Sequence, residues 1–106
     1  MEDTKKIPFK NGGTFQYTFS LKKGRGSLEN FIGIRIEAAV KTADGAIWPL
    51  EVTVLSGSRS FRVTYLGSTK GWPQGDAAMD IKLTRLEDGL IQYSDNLEFK
   101  VLKSIA

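Results

Sequence analysis

Eight serines, at positions 20, 27, 56, 58, 60, 68, 94 and 104, are candidate nucleophiles. A serine attacks well only when a neighbouring base takes its proton, and that base is most often histidine. The chain has no histidine and no Gly-x-Ser-x-Gly elbow. Most of these serines fall in turn-like stretches, where a hydroxyl serves the backbone instead. Cysteine is absent too, which removes thiolate nucleophiles, disulfides and cysteine-ligated metals. Asp76, Asp80, Asp88 and Asp95 remain as carboxylates that could act in pairs on a glycosidic bond or converge on calcium. Their spacing matches no recognised loop, and Asp80 falls on the solvent side of an alternating strand. Gly24-Arg25-Gly26 leads into no Walker lysine. The reading is therefore of a non-enzyme, with no catalytic residue, no metal and no cofactor.

Binding chemistry has better candidates. Trp48 and Trp72 each precede a proline, in Trp48-Pro49 and Trp72-Pro73, and Tyr65 is a third large ring. Exposed rings of this kind stack on sugars or anchor protein interfaces. Turned inward, each tryptophan would plug one end of a core. Lys22, Lys23 and Arg25 form a weak basic patch. Without free aromatics to stack bases it reads as a solvated hairpin tip, and nucleic acid is not an expected partner. The net charge of +3 is too small to argue otherwise.

The elements that must carry these residues are strands. Phe15, Tyr17 and Phe19 alternate with Gln16, Thr18 and Ser20, and Ile34, Ile36, Ala38 and Val40 alternate with Arg35, Glu37 and Ala39. The same two-residue beat runs through Leu50–Val54, Phe61–Tyr65, Met79–Leu83 and Leu97–Val101, and side chains two apart share one face of a strand. Pro49 cannot donate to a ladder, so its strand lies at an edge or begins there. Asp88-Gly89 suits the positive φ of a tight hairpin. Ser94-Asp95-Asn96 reads as a bulge or kink, after which Leu97, Phe99 and Val101 continue the inward register of Ile91 and Tyr93. About seven strands and no helix in 106 residues predict an all-β domain, an immunoglobulin-like antiparallel β-sandwich, with a small β-barrel as the alternative. Residues 1–12 read as a flexible polar arm, frayed or packing Ile7 and Phe9 on a neighbouring subunit. Residues 13–106 read as the domain.

The chain has no stretch approaching the ~20 apolar residues of a membrane helix, and its first residues lack a signal peptide's apolar core. A cytoplasmic origin is expected, with no membrane contact.

The succession of motifs also resembles a known group. Gly13-Thr14-Phe15 opens a strand, and Ile34-Arg35-Ile36 and Val40-Lys41 run into Asp44-Gly45. Phe61-Arg62-Val63-Thr64 precedes a loop with Trp72-Pro73-Gln74-Gly75, then Met79-Asp80-Ile81-Lys82. Asp88-Gly89 leads to Tyr93-Ser94 and a final Leu97-Glu98-Phe99-Lys100-Val101 strand, ending at Lys103-Ser104-Ile105. Over residues 13–105 this resembles the small β-sandwich domains of tailed-bacteriophage virion proteins, such as the N-terminal domain of baseplate upper proteins and other tail or fibre modules. The resemblance implies a structural module of a phage or prophage particle. It would dock on other virion subunits or on itself as a homo-oligomer. It would lie in the virion, or in the bacterial cytoplasm before assembly. A carbohydrate-binding module using Trp48, Trp72 and Tyr65 on a glycan is the alternative, and a small protein-binding regulator is a third.

Overall fold

A computed structural model describes residues 6–20, 30–94 and 96–105. Eight strands and no helix occur among them: β1 (Ile7–Lys10), β2 (Gln16–Ser20), β3 (Ile34–Lys41), β4 (Ile47–Val54), β5 (Ser60–Thr64), β6 (Gly75–Arg85), β7 (Ile91–Tyr93) and β8 (Leu97–Leu102). The all-β expectation holds. The basic patch of Lys22, Lys23 and Arg25 lies outside the described residues.

Alternation in sequence becomes alternation in burial. In β3, Ile36, Ala38 and Val40 are buried while Arg35, Glu37 and Lys41 are exposed. In β6, Ala77, Met79 and Ile81 are buried, and in β8 Phe99 and Val101. Cross-strand partners align these sets, Ala38 opposite Ile81, Val40 opposite Met79 and Ala77 opposite Phe99. Each fully buried aliphatic or aromatic side chain contributes about 1.5–3 kcal/mol relative to exposure.

The sheet order is β1-β8-β6-β3-β4-β5-β2, with β7 also on β6. Strand β4 changes partner midway. Ile47–Leu50 pair with β3, and Glu51–Val54 pair with β5. That exchange curls the sheet into a half-barrel and brings its two ends face to face. Phe15, just before β2, lies 5.1 Å from Phe99 of β8 and 5.2 Å from Phe9 of β1, ring centre to ring centre. Pro49 fits its place. Thr42 N–H donates to the Ala46 carbonyl, and antiparallel pairs alternate between hydrogen-bonded and not. Ala39 opposite Pro49 is then a pair without ladder bonds, so the missing donor faces away from β3.

Three features differ from expectation. Ile7–Lys10, read as part of the arm, form a strand, and Phe9 is buried in the chain's own core. This eighth strand pairs parallel with β8, Ile7 opposite Phe99 and Phe9 opposite Val101, so the sheet is mixed rather than antiparallel throughout. The physical reason is that Ile7 and Phe9 carry a two-residue beat too short to stand out beside Lys5, Lys6 and Pro8.

The second difference concerns the bulge. Lys82 pairs with Tyr93 and Met79 with Leu97, so three residues of one strand oppose two of the other. One extra residue flips the facing of everything beyond it. Ile91 and Tyr93 therefore point outward, opposite to Leu97, Phe99 and Val101, and all of β7 is exposed.

The third is the Asp88-Gly89 hairpin, which is wider than a two-residue turn. Arg85 N–H donates to the Leu90 carbonyl, Gly89 N–H donates to the Arg85 carbonyl, and only Gly89 has positive φ, at 75°.

Candidate functional site

The three rings singled out in the sequence do meet. Trp48 and Tyr65 lie 5.7 Å apart, Tyr65 and Trp72 5.4 Å, and Trp48 and Trp72 5.9 Å. Of the three, Trp72 is the one that plugs the core. Trp72 is 1% exposed. Phe9 and Phe15 enclose it further, at 5.5 and 5.2 Å. Trp72 thus presents no face to a ligand, and its exposed reading is corrected to the core one. The reason is positional. The loop after β5 folds back across the open end of the curled sheet, where a large ring fills the gap between its two ends. Among the described residues the Trp72 indole N–H finds no hydrogen-bond acceptor.

Trp48 and Tyr65 are half-buried, and so is Pro73. The Trp48 indole N–H donates to Thr42 Oγ1 at 3.0 Å, and that hydroxyl donates to Asp44 Oδ1 at 2.6 Å. Asp44 also accepts from Ala46 N–H at 3.2 Å. These bonds, the Thr42 hydroxyl first, hold the Asp44 carboxyl below the usual carboxylate range. Trp48 is thereby pinned to the β3–β4 turn. Tyr65 lies flat against Gly67, where an added Cβ would sit 2.9 Å from the phenol oxygen. No larger residue fits there without moving the ring.

Asp76 and Asp80 do not form a close carboxylate pair. Asp76 and Asp80 stand four residues apart on one strand, about 13 Å along it, beyond the separation that glycosidic chemistry uses. Asp76 is ion-paired with Lys6 at 2.9 Å. Asp88 is held by Arg85 through bonds of 2.7 and 2.9 Å. With the Leu90 N–H also donating, its carboxyl is pulled down to about 2. Asp95 lies outside the described residues. Among the described residues no three histidine, cysteine or carboxylate side chains gather as a metal would need. Two of the serines serve the backbone: Ser94 Oγ accepts from Ile81 N–H at 3.0 Å, and Ser68 Oγ from Lys70 N–H at 3.2 Å.

The surface that sequence reasoning missed is the β6–β7 hairpin. Leu86 is 58% exposed, Leu90 47%, Ile91 48% and Tyr93 64%. Among the described residues β7 pairs only with β6, so its other edge is open. Ile91 and Tyr93 lie on the outer face. Leu90 lines a small cleft with Ile34, Leu83, Arg85 and Gln92 on the other. An open edge with apolar side chains on both faces can accept another strand. The sequence signal is the bulge at 94–96, whose added residue reverses the facing of Ile91 and Tyr93.

No protein-family model matches this chain, and no curated protein matches it in sequence.

Proposed function

We propose that the chain is a non-enzymatic assembly module that docks on neighbouring subunits through the edge of β7, as a structural part of a tailed-phage or prophage particle. On this reading the two ends of the curled sheet are the layers of a small immunoglobulin-like β-sandwich. The observation that supports docking is the open β7 edge bearing Leu86, Leu90, Ile91 and Tyr93. A domain that buries Phe15, Phe99 and Val101 almost completely nonetheless leaves four large apolar side chains outside on one hairpin. Contiguous apolar surface next to unpaired backbone favours association. Main-chain bonds along the edge would supply affinity, and side chains on either face would supply selectivity. Repetition of one such contact builds closed oligomers. The phage assignment rests on the motif order over residues 13–105.

Light scattering on the purified chain tests the docking. The expected result is an oligomer that Tyr93→Lys converts to monomer while the melting temperature holds. If the chain is monomeric at all concentrations and also missing from purified particles by mass spectrometry, the reading fails.

A further inference from the structure

Three lysines stand around one open depression at the end of the molecule above the aromatic plug. Lys10 closes β1, Lys70 lies in the loop after β5, and Lys103 follows β8. The depression has a volume of about 540 Å³, within the range of small-molecule sites. The rest of its described lining is Asn11, Gly12, Gly13 and Ser104, with no carboxylate among these residues. The ion pairs Lys6–Asp76 and Arg85–Asp88 do not involve these three lysines.

The frame beneath them is fixed by a buried threonine and a half-buried asparagine. Thr69 is 2% exposed. Its Oγ1 accepts from Gly12 N–H at 2.8 Å and donates to the Gly13 carbonyl at 2.7 Å. The Asn11 side chain donates to the Trp72 carbonyl and accepts from Ser104 N–H, each at 3.2 Å. Two side chains thus bolt together the three segments that carry the lysines. Gly12 forms the floor with φ of +87°, and an added Cβ would sit 3.7 Å from both Lys70 Cγ and Ser104 Oγ. A side chain there would occupy the depression.

We infer that this depression is a binding site for a compact multivalent oxyanion, phosphate- or sulfate-bearing and of small-molecule size. Three like charges around one depression, with no carboxylate among its described lining residues, repel one another, and an anion between them reverses that term. Lysines act as mobile point charges, suited to a ligand with several oxyanion groups rather than one carboxylate held by a planar fork. Phe9, Phe15 and Trp72 beneath it are buried, so they offer no base-stacking platform beside the charges and a nucleic-acid strand is disfavoured. Ser104 Oγ adds a hydroxyl for one oxygen.

Calorimetry at low salt with inorganic tripolyphosphate, a sulfated disaccharide and a short single-stranded oligonucleotide provides the test. Saturable one-to-one binding of tripolyphosphate or the sulfated sugar is expected, and the stronger of the two identifies the oxyanion. Lys10→Ala, Lys70→Ala and Lys103→Ala should each weaken it about two- to fivefold, and the triple variant should abolish it. Lys82→Ala, on the outer face of β6, should leave it unchanged. The same anion should raise the melting temperature of the wild type but not of the triple variant. The inference is overturned by absence of saturable binding, by equal loss in Lys82→Ala, or by the oligonucleotide alone binding.

Discussion

Trp72 shows how a residue's chemistry depends on what lies within one ring's width of it. Its indole is enclosed by Phe9, Phe15, Trp48 and Tyr65 at 5.2–5.9 Å. Such pairs contribute about 0.5–1.5 kcal/mol beyond area burial. Its unpartnered N–H works against this by about 1–3 kcal/mol. Trp72→Ala should therefore cost about 3–5 kcal/mol in urea denaturation, as large-to-small core changes do, whereas Trp72→Phe should cost much less because the orphan donor leaves with the lost volume. In Trp48→Phe, where Trp72 is the sole emitter, fluorescence should be blue-shifted and protected from quencher. Red-shifted, quenchable emission would place the ring outside. The sequence offered Trp72-Pro73 as either surface or plug, because a tryptophan in an irregular loop has no alternating neighbours to assign its side.

At the level of elements, strand facing was legible wherever the beat was long. β3, β6 and β8 bury the residues that their alternation marks, because parity is local and survives in sequence. It failed where one residue was added. The bulge between β7 and β8 is anchored by Ser94, whose Oγ accepts from Ile81 N–H while its own N–H donates to the Ile81 carbonyl at 2.8 Å. Ser94→Ala should leave the Ile81 N–H without that acceptor and cost about 1–3 kcal/mol, with Ser94→Thr restoring most of it. Chemical denaturation reads both, and equal stability of Ser94→Ala and wild type would remove the hydroxyl from that role. The β1–β8 pairing was illegible for a different reason. It joins residues about ninety positions apart in parallel, and no local pattern announces a partner so distant. The candidate surfaces divide along the same line. The rings Trp48, Tyr65 and Trp72 were found by residue type, whereas the open β7 edge and the three-lysine depression depend on which distant segments meet.

For the whole molecule, the charge pattern sets the response to pH. There is no histidine, so stability should be flat across neutral pH. Asp44, Asp76 and Asp88 are all held below the ordinary carboxylate value, Asp88 at about 2 against 3.8. A carboxylate lowered on folding contributes stability above its unfolded value, and that contribution is lost as pH falls through its folded value. Melting temperature should therefore fall between about pH 4 and pH 2, and Asp88→Asn should make that decline shallower. At the other end, burial raises the Tyr17 phenol and the hydrogen bond to Asp76 raises the Lys6 ammonium. Both contributions are complete below their unfolded values and vanish as pH climbs through the folded ones, so a second decline is expected above about pH 10. A melting temperature that changes steeply between pH 6 and 8 would contradict this account.

The parallel seam between β1 and β8 also sets a timetable for the newborn chain. Strands that meet their partner across a short turn can zip up as they leave the ribosome, but Phe9 must wait for Val101 to be made before it has a neighbour to lie beside. Until then Ile7 and Phe9 hang in solution as a short greasy lure, and the pocket they will fill stays open to any passing peptide. Closing the seam thus waits for β8, and a chain cut before Leu97 would leave Ile7 and Phe9 without their parallel partner.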